Sequence, residues 1–128
     1  VSLILVDGSA LVYRSHYAFA GRPLTAPSGE TTSVVFGFCH SLLTLIETRR
    51  PAMLAIVFDR KGPNFRHAMY PAYKANRKPM PPELAEQLPR LHDLLAAWGV
   101  PVLGEDGVEA DDVLASVAAR ASARGETV

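Results

Sequence analysis

Two short aliphatic runs fix most of what this chain can become. Residues 2–6 (SLILV) lead into Asp7-Gly8-Ser9, which reads as a turn, and residues 53–58 (MLAIVF) lead into Asp59. Neither run alternates apolar with polar residues, so each reads as a strand buried on both faces. Elsewhere the apolar spacing is helical. One helix is expected over residues 11–19 and another over 33–48, capped by Thr31 or Thr32, with Pro51 stopping it. Gly37 inside that second helix is either a small penalty or a point of close backbone approach. The clearest helix is expected over 83–98, where Leu84, Leu88, Leu91, Leu95 and Trp98 share a face and Gly99 ends it. A short strand over 100–103 and an alanine-rich helix over 110–124 follow, and residues 126–128 read as the start of a further strand. Helices alternating with uniformly apolar strands point to an α/β fold, a parallel sheet covered by helices on both faces.

The 128 residues suit one domain or part of one, and a hydrophobic share of 48% excludes a disordered tail. The apolar runs fall far short of the roughly 20 residues that span a bilayer. A single cysteine, Cys39, excludes an internal disulfide and a thiolate zinc site, and a reducing cytoplasmic address is expected. The first residue is Val1, so a native start upstream is expected, as is continuation of the strand pattern past Val128.

Thirteen basic and thirteen acidic side chains cancel, but they are segregated. Six Lys and Arg and no carboxylate lie between Arg60 and Lys78, while five carboxylates and no cation lie between Glu105 and Asp112. Two local fields of opposite sign point to two different tasks.

The acidic elements are Asp7, Asp59 and the run Glu109-Ala110-Asp111-Asp112. In open parallel sheets ligands bind beyond the carboxyl ends of the strands, where Asp7 and Asp59 stand. Taken singly, each aspartate is also an ordinary turn residue. The helix dipole accounts for one or two carboxylates at the start of the last helix, but three crowd one another. If the fold gathers Asp7, Asp59, Glu109 and Asp111, an all-oxygen donor set suits a hard cation such as magnesium or manganese. The four histidines have no ligand spacing.

The basic segment interleaves Phe65-Arg66, Tyr70, Tyr73-Lys74 and Arg77-Lys78. Cations neutralise phosphates and aromatic faces stack on unpaired bases. The competing reading is a solvated loop whose rings pack back onto the domain. Nucleic acid would satisfy the basic loop and the carboxylate–metal pattern together. No phosphate-binding P-loop, dinucleotide fingerprint or nucleophile elbow is present.

Four segments, LILVDGSALVYRSHYA, GETTSVVFGF, AIVFDRKGPNFRHAMYPAYKANRKPMP and VEADDVLASVA, resemble in this order the 5′ nuclease domain of bacterial DNA polymerase I, a relative of flap endonucleases. The resemblance covers essentially the whole chain. It implies a PIN-like, flap-nuclease-like α/β fold with a central, mostly parallel sheet flanked by helices, truncated at the C-terminus. It implies metal ligation by Asp7, Asp59, Glu109 and Asp111, with Asp112 a ligand or a neighbour supporting the ligands, and two Mg2+ or Mn2+ ions in the complete domain. Residues 60–82 match the arch-like segment, with Arg66 and Lys74 in catalytic roles and Phe65, Tyr73, Arg77 and Lys78 on the nucleic acid. Gly29 and Thr32 are implied at the DNA backbone.

The resemblance further implies cleavage of 5′ flaps and RNA primers in replication and repair. The setting it implies is a bacterial, nucleoid-associated protein joined to a polymerase region. In the family another acidic cluster and a helix-hairpin-helix follow; neither is in residues 1–128. The alternatives are a truncated, non-catalytic DNA-binding fragment and, more distantly, a PIN-type ribonuclease, against which the long basic segment argues.

Overall fold

The computed structural model describes residues 2–59, 80–104 and 108–128. These divide into two compact units. One gathers residues 2–9, 52–59 and the described residues from 101 to 128; the other gathers Ala10–Pro51 and Met80–Val100.

The first unit is built on a three-stranded parallel sheet. Strand β1 (Leu3–Asp7) pairs with β2 (Met53–Val57), and β2 with β3 (Val102–Leu103), in the order β1-β2-β3. Asp7 stands opposite Val57, and Ile56 opposite Val102. Ala55, Ile56, Val57 and Phe58 are buried, as two-sided burial of an unalternating run requires. Each of the larger three contributes about 1.5–3 kcal/mol by leaving water. The last helix of the fold, Ala110–Ala123, packs on β1 and β2. Beyond it Gly125 turns the chain with φ +83°. Thr127 then forms a parallel bridge with Ser2, and the Leu3 N–H donates to the Thr127 carbonyl at 2.7 Å. Where the sequence pattern predicts the start of a further strand, residues 126–128 contribute this single bridge on the far side of β1. An apolar hollow of about 420 Å³ lies beside them, lined by Leu3, Ile4, Leu5, Leu114, Ala118 and Val128.

One sequence expectation fails at the end of β1. Asp7-Gly8-Ser9 reads as a turn, but helix α1 (Gly8–Ala18) starts directly after the strand. The cause is steric. A Cβ on Gly8 would lie 2.7 Å from Ile56 Cγ2 and 2.9 Å from the Phe58 ring, so only glycine lets the helix begin this close to β2.

In the second unit α2 (Ser33–Arg49) packs against α4 (Leu88–Trp98). Val12, Val34, Phe38, Leu42, Leu84, Leu91 and Leu95 are buried. Gly37 is a point of close approach: a Cβ there would sit 2.9 Å from Ser15 Cβ. Arg50, in the left-handed region at φ 46°, ends α2 just before Pro51. The helix expected over 83–98 is two helices, α3 (Pro82–Ala85) and α4. Pro89 has no N–H to donate, and its ring conflicts with a helical carbonyl four residues back, so the helix restarts at Leu88. Trp98, expected on the buried face, is 38% exposed. Gly99 ends α4 with φ +83°, as expected.

Among the described residues no helix is long and apolar enough to cross a membrane.

Candidate active site

Asp7 and Asp59 stand at the carboxyl ends of neighbouring strands in the first unit. Parallel pairing sets Asp7 at the end of β1 opposite Val57, and Asp59 follows two residues past the end of the neighbouring strand. The backbone of Asp59 is held by Ser9: the Asp59 N–H donates to Ser9 Oγ at 2.9 Å. Its side chain is held by the helix beginning at Ala110, here α5. Asp59 Oδ1 accepts the Ala110 N–H at 2.6 Å.

That bond explains a gap at the start of α5. Glu109 occupies the N-cap position in extended conformation, but its side chain makes no capping bond. The first amides of a helix have no carbonyl one turn back, and a carboxylate in front of them is favoured by the dipole. Asp59 supplies the cap from another strand. The same first turn carries Asp111 and Asp112. Glu109 is buried at 7% exposure, Asp112 is half-buried, and Asp59 and Asp111 are exposed.

The described residues thus join Asp59 directly to the acidic helix start and set Asp7 at the adjacent strand end. They do not include any group of three His, Cys, Asp or Glu side chains disposed to hold a metal ion. The donor chemistry still fits a hard divalent cation, since every acidic candidate offers carboxylate oxygens and none is a thiolate or imidazole.

Gly29 and Thr32 belong to the second unit. They lie in a loop closed by a Thr25–Thr31 bridge and by the Thr32 N–H donating to the Leu24 carbonyl at 2.8 Å. Gly29 has φ +90°, a conformation that favours glycine. Glu30 receives both arms of the Arg90 guanidinium, Nε and Nη2, at 3.1 Å. That hydrogen-bonded carboxylate raises the Arg90 pKa further above its ordinary value. Thr32 stands at the N-cap of α2, yet its side chain makes no capping bond. The cap expected from Thr31 or Thr32 is replaced by Gln87, whose Oε1 accepts the Val34 N–H at 2.8 Å. A threonine in front of a helix is only one of the acceptors that can reach its first turn.

Phe65, Arg66, Tyr73, Lys74, Arg77 and Lys78 lie outside the described residues. Sequence reasoning missed two residues, Ser9 and Gln87. Gln87 had a signal, a lone polar side chain within the apolar stripe Leu84, Leu91, Leu95. Ser9 had none beyond following Asp7-Gly8.

Residues 2–128 match the family described as 5′-3′ exonuclease, N-terminal resolvase-like domain. The chain is 47% identical over 122 residues to DNA polymerase I of Treponema pallidum, covering 95% of this chain and 12% of that protein. It is 43% identical over 129 residues to DNA polymerase I of Synechocystis sp., covering 98% of this chain and 13% of that protein. The chain therefore spans about an eighth of the length of these curated relatives. Its fold is that of the T5 D15 protein co-crystallized with metal ions, with a TM-score of 0.67, 24% identity, and coverage of 94% of this chain and 45% of that one. The T5 5′-exonuclease with bound divalent zinc ions gives 0.66 at 21% identity, covering 95% of this chain and 45% of that one. The architecture is α/β, PIN-like, with a parallel sheet flanked by helices. On the match of residues 2–128, the chain belongs to the N-terminal resolvase-like domain family of the 5′-3′ exonucleases.

Proposed function

We propose that this chain forms the N-terminal part of a divalent-metal-dependent, structure-specific 5′ nuclease domain that hydrolyses phosphodiesters in 5′ flaps and RNA primers. The observation that carries the reading is the bond from Ala110 N–H to Asp59 Oδ1, which ties a strand-end aspartate to the start of an acidic helix. Asp7, Asp59, Glu109 and Asp111 would hold the ions, with Asp112 as a further ligand or support. When bound, Mg2+ or Mn2+ supplies Lewis acidity, generating a nucleophile from water at neutral pH and stabilising charge on the phosphoryl oxygens.

The chain's own residues do the rest. Ser9 and the first turn of α5 fix Asp59 at both backbone and side chain, so that its carboxylate need not reorganise during the reaction. Arg66 and Lys74 offset charge at the scissile phosphate. Phe65 and Tyr73 stack on unpaired bases, while Arg77 and Lys78 neutralise backbone phosphates. Gly29 and Thr32 meet the duplex backbone. Residues 60–82 act as the arch-like segment that admits a 5′ single strand. In this reading the native protein continues into a polymerase region, as the relatives' names and lengths support, and works on the bacterial nucleoid in the cytoplasm.

A second reading is a DNA-binding fragment that does not cut. It is favoured by the lack, among the described residues, of three side chains grouped to hold an ion. One experiment separates the two: 5′-flap DNA is offered to the full-length protein and to this 128-residue chain with Mg2+ or Mn2+. Product from the full-length protein supports the nuclease reading. Retention of DNA without product by either metal would replace it with the second.

A further inference from the structure

Gln87 is 2% exposed, although glutamine usually reaches water. A buried primary amide must satisfy both its oxygen and its nitrogen. Gln87 does so: Oε1 accepts the Val34 N–H at 2.8 Å, and Nε2 donates to the Glu83 carbonyl at 2.7 Å. It stands where the chain breaks between α3 and α4, at the N-cap position of α4. Its partner is the buried first turn of α2, 53 residues earlier. That turn is short of internal acceptors, and Thr32 makes no capping bond.

The same turn is the root of the 24–32 loop. Ser33 Oγ accepts the Leu24 N–H at 2.7 Å, and the Thr32 N–H donates to the Leu24 carbonyl at 2.8 Å. Arg90, one turn after Gln87, grips Glu30 near the tip of that loop. Root and tip are thus both fastened to the segment that begins at Gln87.

We propose that Gln87 is a positioning residue for the nucleic-acid backbone: by holding the first turn of α2, it keeps Gly29 and Thr32 in place for phosphates of the duplex. The inference rests on the reading of Gly29 and Thr32 given under Proposed function. Gln87 itself touches no substrate.

The test uses the full-length protein, 5′-flap DNA with Mg2+, and the variants Gln87→Met and Gln87→Glu. Met keeps the volume and offers no hydrogen bond. Glu keeps an acceptor for Val34 but loses the donor to Glu83. Expected for Gln87→Met are lost hydrogen-exchange protection at the Val34 amide, a KM raised about tenfold, and a saturating single-turnover rate within about twofold of wild type. Expected for Gln87→Glu are retained protection and a KM within about twofold of wild type, even if its melting temperature falls. KM then follows the Val34 amide rather than global stability. Wild-type KM in Gln87→Met, an equal rise in both variants, or loss of rate at unchanged KM would overturn the proposal. Absence of cleavage by the wild-type protein would instead overturn the nuclease reading, and this inference with it.

Discussion

Asp59 and Ala110 are 51 residues apart in the chain, and the carboxylate of one takes the amide hydrogen of the other at 2.6 Å. A single residue therefore both follows the end of a strand and caps a distant helix. The two roles separate by mutation. Asp59→Asn keeps an oxygen for the Ala110 N–H but loses the negative charge. It is expected to melt close to wild type, to retain DNA in a shift assay, and to lose flap cleavage by about a thousandfold in the full-length protein. Asp59→Ala is expected to lose the cap as well, about 1 kcal/mol of stability. Turnover by Asp59→Asn at the wild-type rate would remove Asp59 from the chemistry.

Metal affinity gives a check that needs no substrate. In a calorimetric manganese titration of the 128-residue chain, binding is expected in the wild type and not in Asp59→Asn. Heat that persists unchanged in the variant would put the ion elsewhere. No heat in either would mean that carboxylates beyond these residues are needed to form the site.

Gly8→Ala tests the contact between the start of α1 and the sheet. The added methyl would sit 2.7 Å from Ile56 Cγ2 and 2.9 Å from the Phe58 ring. Overpacking of this kind costs about 1–3 kcal/mol, read as a lower denaturant midpoint at unchanged slope. An unchanged midpoint would show that the helix start gives way easily.

Cys39 offers a pH readout. Partial burial pushes its thiol up from the ordinary value, because the thiolate is the form that loses hydration. At pH 7–8 it should react with a disulfide reagent more slowly than a free cysteine, and faster as pH rises. The folded thiol holds its proton more tightly than the unfolded one. Its effect on stability is therefore nil below the unfolded thiol range, about 8.5, and destabilising as pH rises through it. Reaction at the free-thiol rate at pH 7.5 would contradict this placement.

How much was legible in the sequence varied with the range of the interaction. β1 and β2 were legible because an uninterrupted aliphatic run has few other fates. The acidic positions and their place at strand ends and a helix start were equally visible. The start of α1 was not: Asp7-Gly8-Ser9 has the composition of a turn, and only Ile56 and Phe58, some fifty residues on, show why Gly8 opens a helix. The break before α4 lay in Pro89, outweighed in the reading by a regular leucine stripe. Both helix caps went unread for one reason. Asp59 and Gln87 reach their helices across more than fifty residues, and the spacing around each helix start does not name such a partner, even where Gln87 stands out in its own stripe.

The bridge between Ser2 and Thr127 has a consequence for synthesis. β1 can pair with β2 once Val57 has emerged, but Thr127, which bridges Ser2 on the other side, arrives seventy residues later. At roughly 5–20 residues per second, that leaves the start of β1 unbridged on that side of a nascent chain for about 4–15 seconds. For that interval the ribosome carries an apolar strand paired on one side only, the state in which a holdase has most to cover and a neighbouring nascent chain most to pair with.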